Sequence, residues 1–118
     1  MTDRELLELA AKGAGYDFKW ESVFGSFSEE VDPTVFDEEG FGQFWNPIDD
    51  DGDAFRLAVK LRIKSRYNEA LGQALAWRGG AVELDDNRAN IEDFSGDECA
   101  CARYAIVRAA AEIGKAMP

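Results

Sequence analysis

The chain contains no histidine. That absence removes Ser-His-Asp and Cys-His catalytic sets, histidine-ligated zinc and histidine acid–base chemistry together. Cysteine is scarce: Cys99 and Cys101 are the only two, far fewer than a small secreted disulfide scaffold carries. Two positions apart on a helix differ by about 200° of rotation, so these thiols neither pair nor share a metal. No run of about 18 apolar residues is present, and Met1-Thr2-Asp3-Arg4-Glu5 lacks the order of a signal peptide. The expected setting is a reducing cytosol, away from membranes. Basic residues are missing where acids are densest: Trp20 to Phe55 holds 11 acids and no Lys or Arg.

What is present suits one domain spanning residues 1–118, with 46% apolar residues to supply a modest core. The net charge is −11, from 24 acids and 13 bases. Such a chain repels nucleic acid and anionic membranes, because phosphate binding needs a basic footprint. The charge is also divided. Residues 1–53 carry a net −12 and residues 54–118 a net +1. Directly after the acidic stretch come Arg56, Lys60, Arg62, Lys64 and Arg66 with no acid among them.

Periodicity predicts α+β class: three helices packed on a small, mostly antiparallel sheet in the order α-β-α-β-β-α. The first helix runs from Thr2 to about Lys12, with Thr2 and Glu5 as a capping box and Gly13 as its stop. Leu6, Leu9 and Ala10 share one face, and Arg4, Glu8 and Lys12 form a ladder of alternating charge. Tyr16–Trp20 alternates as a short strand. Residues 21–47 read as a long, acidic, aromatic-rich loop with at most a helical turn; nine of the chain's 14 aromatics fall between Tyr16 and Trp45. A second helix starts near Asp50–Asp53 and ends near Arg62. It buries Ala54, Leu57, Ala58 and Leu61, and turns Asp53, Arg56 and Lys60 to water. Ile63–Tyr67 continues as a strand. Leu71, Leu75 and Trp77 then share one side, and Gly79-Gly80 turns the chain into Ala81–Asp85, where Val82 and Leu84 face together. The last helix, about Asp97 to Met117, sets Cys99, Ala102, Ile106, Ala110, Ile113 and Met117 on its apolar face. That phase leaves Cys101 on the wet side.

Asp49-Asp50-Asp51-Gly52-Asp53 resembles a calcium loop in composition only. Counted from Asp49, the required Gly and Glu fall on Ala54 and Lys60. The acids are expected to cap the helix that follows. Carboxylates for a two-metal or glycosidase site would have to converge from several elements, whereas most of these lie in one stretch. Gly40-x-Gly42 and Gly79-Gly80 lack the Lys-Ser/Thr of a phosphate loop. No base stands beside either thiol. Trp20, Phe24, Phe27, Phe36, Phe41, Phe44 and Trp45 could form a binding platform, with core packing as the default for aromatics. No catalytic residues, metal or cofactor are therefore expected.

Two stretches and the opening helix resemble a known group. Trp45-Asn46-Pro47 with Asp50-Asp51-Gly52-Asp53-Ala54 and Arg56–Leu61 is one stretch. Arg103–Gly114 is the other. With Thr2–Ala11 they resemble small uncharacterised tailed-phage and prophage proteins of the phage ABA-sandwich kind. The resemblance covers about half the chain and implies phage origin and the host cytoplasm, without implying a reaction. The expected function is that of a small acidic binding protein. It would inhibit a host or defence nucleic-acid-binding complex by occupying its basic cleft, as anti-CRISPR and DNA-mimic proteins do. The alternative is an accessory protein that binds another phage protein or, further off, a carboxylate enzyme. Glu29, Glu30, Asp37, Glu38 and Glu39 are the candidate partner contacts, because they lie in the base-free stretch and outside the helix cap.

Overall fold

A computed structural model describes residues 1–21, 31–78 and 87–118. The elements, in chain order, are α1 (Asp3–Ala14), β1 (Asp17–Glu21), β2 (Asp32–Phe36), β3 (Gly42–Phe44), α2 (Asp51–Leu61), β4 (Ile63–Asn68), β5 (Gln73–Arg78), β6 (Arg88–Asn90), a 3-10 turn (Ile91–Phe94) and α3 (Glu98–Lys115). The class is α+β. The strands form two antiparallel sheets rather than one, ordered β1-β2-β3 and β4-β5-β6. The expected hairpin through Gly79-Gly80 to Val82 and Leu84 lies outside the described residues, as do Glu29 and Glu30.

The α1 capping box forms as expected, with the Glu5 amide donating to Thr2 Oγ1 at 3.2 Å. The helix does not stop at Gly13. It runs on to Ala14, and Gly15 closes it at φ 74°. Gly13 instead lies in the helix against α3, where a Cβ would stand 2.7 Å from the Ala110 carbonyl oxygen. Its partner Gly114 is tighter still: a Cβ there would overlap the Leu9 carbonyl oxygen. Ala10, Ala11, Ala110 and Ala111 are fully buried around this seam. Small residues bring the two helix backbones together.

The helix α3 is the centre of the molecule, packing on α1, α2 and the sheet of β4, β5 and β6. Eight of its residues are buried, and they run nearly all the way around it. Beyond its first turn only a narrow line through Arg108, Glu112 and Lys115 stays wet, and β6 covers the amino-terminal part of that line where Cys101 sits, so the spacing of polar residues alone does not tell which thiol is buried. This is why the two cysteines exchange places relative to the expectation. Cys101 is fully buried, its Sγ donating to the Ala89 carbonyl oxygen at 3.2 Å, and Cys99 is exposed. A thiol reagent should modify Cys99 in the folded protein and reach Cys101 only on unfolding; equal rates at both would contradict the helix's placement.

Burial also pushes the Cys101 thiol above its ordinary 9.0, and the Tyr16 and Tyr104 hydroxyls above their ordinary 10.0. Each is an acid whose neutral form is favoured by folding. Above the ordinary values the unfolded chain loses these protons while the folded one keeps them. The free energy of unfolding therefore falls as pH rises through this range. Chemical denaturation midpoints should be flat from pH 7 to about 8.5 and fall above it. A rising midpoint there would contradict their burial.

On β5 Leu75, itself buried, and Trp77 share one face as expected, but the small residues on the opposite face also enter the core. Ala74 and Ala76 join the core, opposite Tyr67 and Ser65 on β4, while Leu71 before the strand is 65% exposed. Leu75 and Trp77 alternate to the other face. Alanine is a weak strand signal, but here it lets α3 lie close on the sheet.

The expected 21–47 loop contains β2 and β3, so the region past residue 31 is sheet. Both strands are short, and Pro33 breaks the alternation that would reveal the first. At the α2 junction, Asp53 is buried rather than wet: its carboxylate accepts from the Asn46 amide at 2.9 Å and from Arg56 at 2.8 Å.

Candidate functional site

The acidic stretch divides, as the sequence suggests, into helix-capping acids and acids outside the cap, and the structure gives the two parts different work. The first is the joint between β3 and α2. Asn46 Oδ1 accepts from the Ile48 and Asp49 amides at 3.1 and 3.3 Å, forming an Asx turn. Asp50 caps α2, accepting from the Asp53 amide at 2.8 Å. Asp51 pairs with Arg103 of α3, whose Nε also donates to the Ile48 carbonyl at 2.8 Å. Asp53 holds Arg56, and that hydrogen bond raises the guanidinium's affinity for its proton. These carboxylates fix a loop to two helices. Among the described residues no three Cys, Asp or Glu side chains converge on a point as metal ligands would.

The second part is the β2–β3 hairpin. The Asp37 carboxylate accepts from the Glu39 amide at 3.0 Å and the Phe41 amide at 2.9 Å, and Gly40 completes the turn at φ 89°. Asp37 therefore shapes the tip, and its acceptor oxygen faces the backbone. Glu38 and Glu39 are exposed with no ion pair among the described residues. Directly beyond them Phe41 is 71% exposed and Phe44 51%. The order β1-β2-β3 leaves the outer edge of β3 without a strand partner among the described residues.

The remaining aromatics divide cleanly. Trp45 is buried, with edge-on contacts to Tyr16 and Phe18 at centroid distances of 5.5 and 5.9 Å. Trp20 donates from Nε1 to Glu8 at 2.7 Å and lies under Arg4, so the charge ladder of α1 serves as its seat. These rings are structural. Of the rings in the acidic stretch, Phe41, Phe44 and, on the outer side of α2, Phe55 are open to solvent, and Phe24 and Phe27 lie outside the described residues. Phe41, Phe44, Glu38 and Glu39 are each candidates from the sequence; what joins rings and acids at one place is the Asp-x-x-Gly turn at Asp37–Gly40.

The basic strip is likewise divided. Arg56 is held by Asp53, and Lys60 stands 4.4 Å over the Tyr16 ring. Arg62, in the left-handed region at φ 57°, and Lys64 are exposed and have no acidic partner among the described residues. They border a cleft of about 480 Å³ between α2, β4 and α3. No helix among the described residues is long and apolar enough to cross a membrane. No protein-family model matches this chain, no curated protein matches it, and no solved structure matches it.

Proposed function

We propose that the protein is a binding protein whose acidic hairpin engages a basic surface on a partner protein, and that it acts by occupying a nucleic-acid-binding cleft. The observation that carries this reading is the hairpin tip: a turn locked by Asp37 presents Glu38 and Glu39 beside two naked phenylalanines. Carboxylates alone would make a diffuse, weak surface. Exposed rings among acids combine an apolar anchor with charge that steers and orients the encounter. With the chain's net −11, long-range attraction to a cationic cleft is strong and direct contact with nucleic acid is opposed.

The resemblance to small tailed-phage proteins gives the proposal its biological form, an inhibitor of a host or defence complex acting in the host cytoplasm. Binding is favoured over catalysis because the chain has no histidine, its exposed thiol lacks a base, and the carboxylates around α2 are engaged in structural bonds.

Immobilised protein should capture from a host lysate a nucleic-acid-binding complex that duplex DNA or rising salt releases. Reversing Glu38 and Glu39 to Lys, together with Glu29 or Glu30, should weaken that capture by about a hundredfold or more, because like charges then face each other. Asp37 is left intact so that the turn survives. Stability should move by less than about 0.5 kcal/mol. Capture that ignores both the DNA and the reversals would remove the hairpin from the interface and end the mimic reading.

A further inference from the structure

The cleft between α2, β4 and α3 is apolar on its walls and has Arg62 and Lys64 on its rim, the Asp51 carboxylate there being already paired with Arg103. Phe55 and Val59 stand on the outer side of α2 at 69% and 61% exposure, Ala102 and Ile106 come from α3, and Arg62 and Lys64 mark the border. Its largest walls are more than half exposed, so it is too open to enclose a small molecule, which a ligand pocket usually buries by about 70–90%. It has the shape of a groove for a protein segment. One wall is an open sheet edge, since β4 is paired only with β5 among the described residues. Edges of this kind accept an added strand.

The same molecule carries the complement. On the hairpin, β3 is an edge strand too among the described residues, with Phe41 and Phe44 exposed beside it and with Glu38 and Glu39 free of ion pairs there. Apolar rings match apolar walls, two carboxylates match two cations, and one open strand edge matches the other. We infer that the groove receives the acidic hairpin of a second copy of this chain, in a head-to-tail contact. Such a contact uses a different surface on each copy. It therefore leaves one free hairpin and one free groove at the ends, and grows into rings or short filaments rather than stopping at a symmetric dimer. The molecules repel at long range, but at physiological ionic strength the Debye length of about 8 Å leaves the local pairs to decide.

Sedimentation velocity over micromolar to millimolar concentrations tests this. The wild-type weight-average mass should rise with concentration past that of a dimer. Phe41→Asp, which spoils the hairpin, and Val59→Glu, which spoils the groove, should each be monomeric while keeping the wild-type circular dichroism and melting temperature; both positions are exposed. Mixed together, the two variants should form dimers and nothing larger, because one good hairpin and one good groove remain between them. Lys64→Glu should behave as Val59→Glu. Cys99 borders the groove, so its reaction with a thiol reagent should slow as wild-type concentration rises, and not in either variant alone. A wild type that stays monomeric throughout, or a mixture that fails to dimerise, would overturn the inference. Because Val59→Glu leaves the hairpin intact, it should still capture the basic partner. Loss of self-association and loss of partner binding are thereby separately readable.

Discussion

Gly114→Ala should destabilise the protein by about 3 kcal/mol, at the upper end of the range for overpacking. The sign is the informative part. In a helix interior, alanine is ordinarily better than glycine by about 1 kcal/mol. Here the added methyl would meet the Leu9 carbonyl, which is backbone and cannot rotate away. The two helices must separate, and the buried alanines around the seam lose contact with them. Gly13→Ala, at 2.7 Å from the Ala110 carbonyl, should act in the same direction but less. Gly15→Ala serves as the comparison: nothing stands within 4 Å, and the cost is the left-handed backbone alone, about 1–2 kcal/mol. Urea unfolding at constant m-value would measure all three. A Gly114→Ala protein as stable as wild type would mean that α1 and α3 do not pack this closely.

Trp45→Ala should cost about 3–5 kcal/mol, the range for truncating a large buried aromatic. The ring is 3% exposed and meets Tyr16 and Phe18 edge-on, so it joins the β1-β2-β3 sheet to the helical core. Its backbone amide donates to the Pro33 carbonyl at 2.9 Å and survives the substitution. The loss is therefore one of packing rather than hydrogen bonding. Trp45→Phe should recover a large part of the stability by refilling some of the volume. The exposed Phe44→Ala, one residue earlier, should move the urea midpoint little. Equal effects at positions 44 and 45 would place both rings in the same environment, contrary to their burial.

These neighbouring positions show how far the sequence can be read. The capping box of Thr2 and Glu5, the cap at Asp50 and the stripe of Leu57 and Leu61 are local matters, decided within a turn or two of helix. Strand β4 followed from alternation in the same way. The hairpin of β2 and β3 is not legible because its strands are short, one contains Pro33, and nothing local distinguishes Phe44, which is exposed, from Trp45, which is buried. The burial of Asp53 depends on the Asn46 amide arriving from outside the helix. The phase of α3 depends on being covered from two sides, a tertiary circumstance that the order of residues along one helix does not carry. Among the candidate contacts, Glu38 and Glu39 lie exposed beside a turn as their composition suggests. The engagement of Asp37 by two backbone amides, and the baring of the phenylalanines beyond it, arise only once the chain has folded back on itself.

The close seam of α1 on α3 joins segments far apart in sequence: Lys12 Nζ donates to the Met117 carbonyl across 105 residues. During synthesis α3 leaves the ribosome after α1, α2 and the second sheet, all of which pack on it. Until it emerges, Leu6, Leu57 and Ala74 have no core to enter, and the nascent chain is held back from folding rather than building up piece by piece. Contacts so distant in sequence require closing a long loop before they return any free energy, which slows the search. A stalled or prematurely ended chain would accordingly offer apolar surface to chaperones and proteases. The level of the protein in a cell should thus depend on completing translation through α3 more sharply than on any single surface residue.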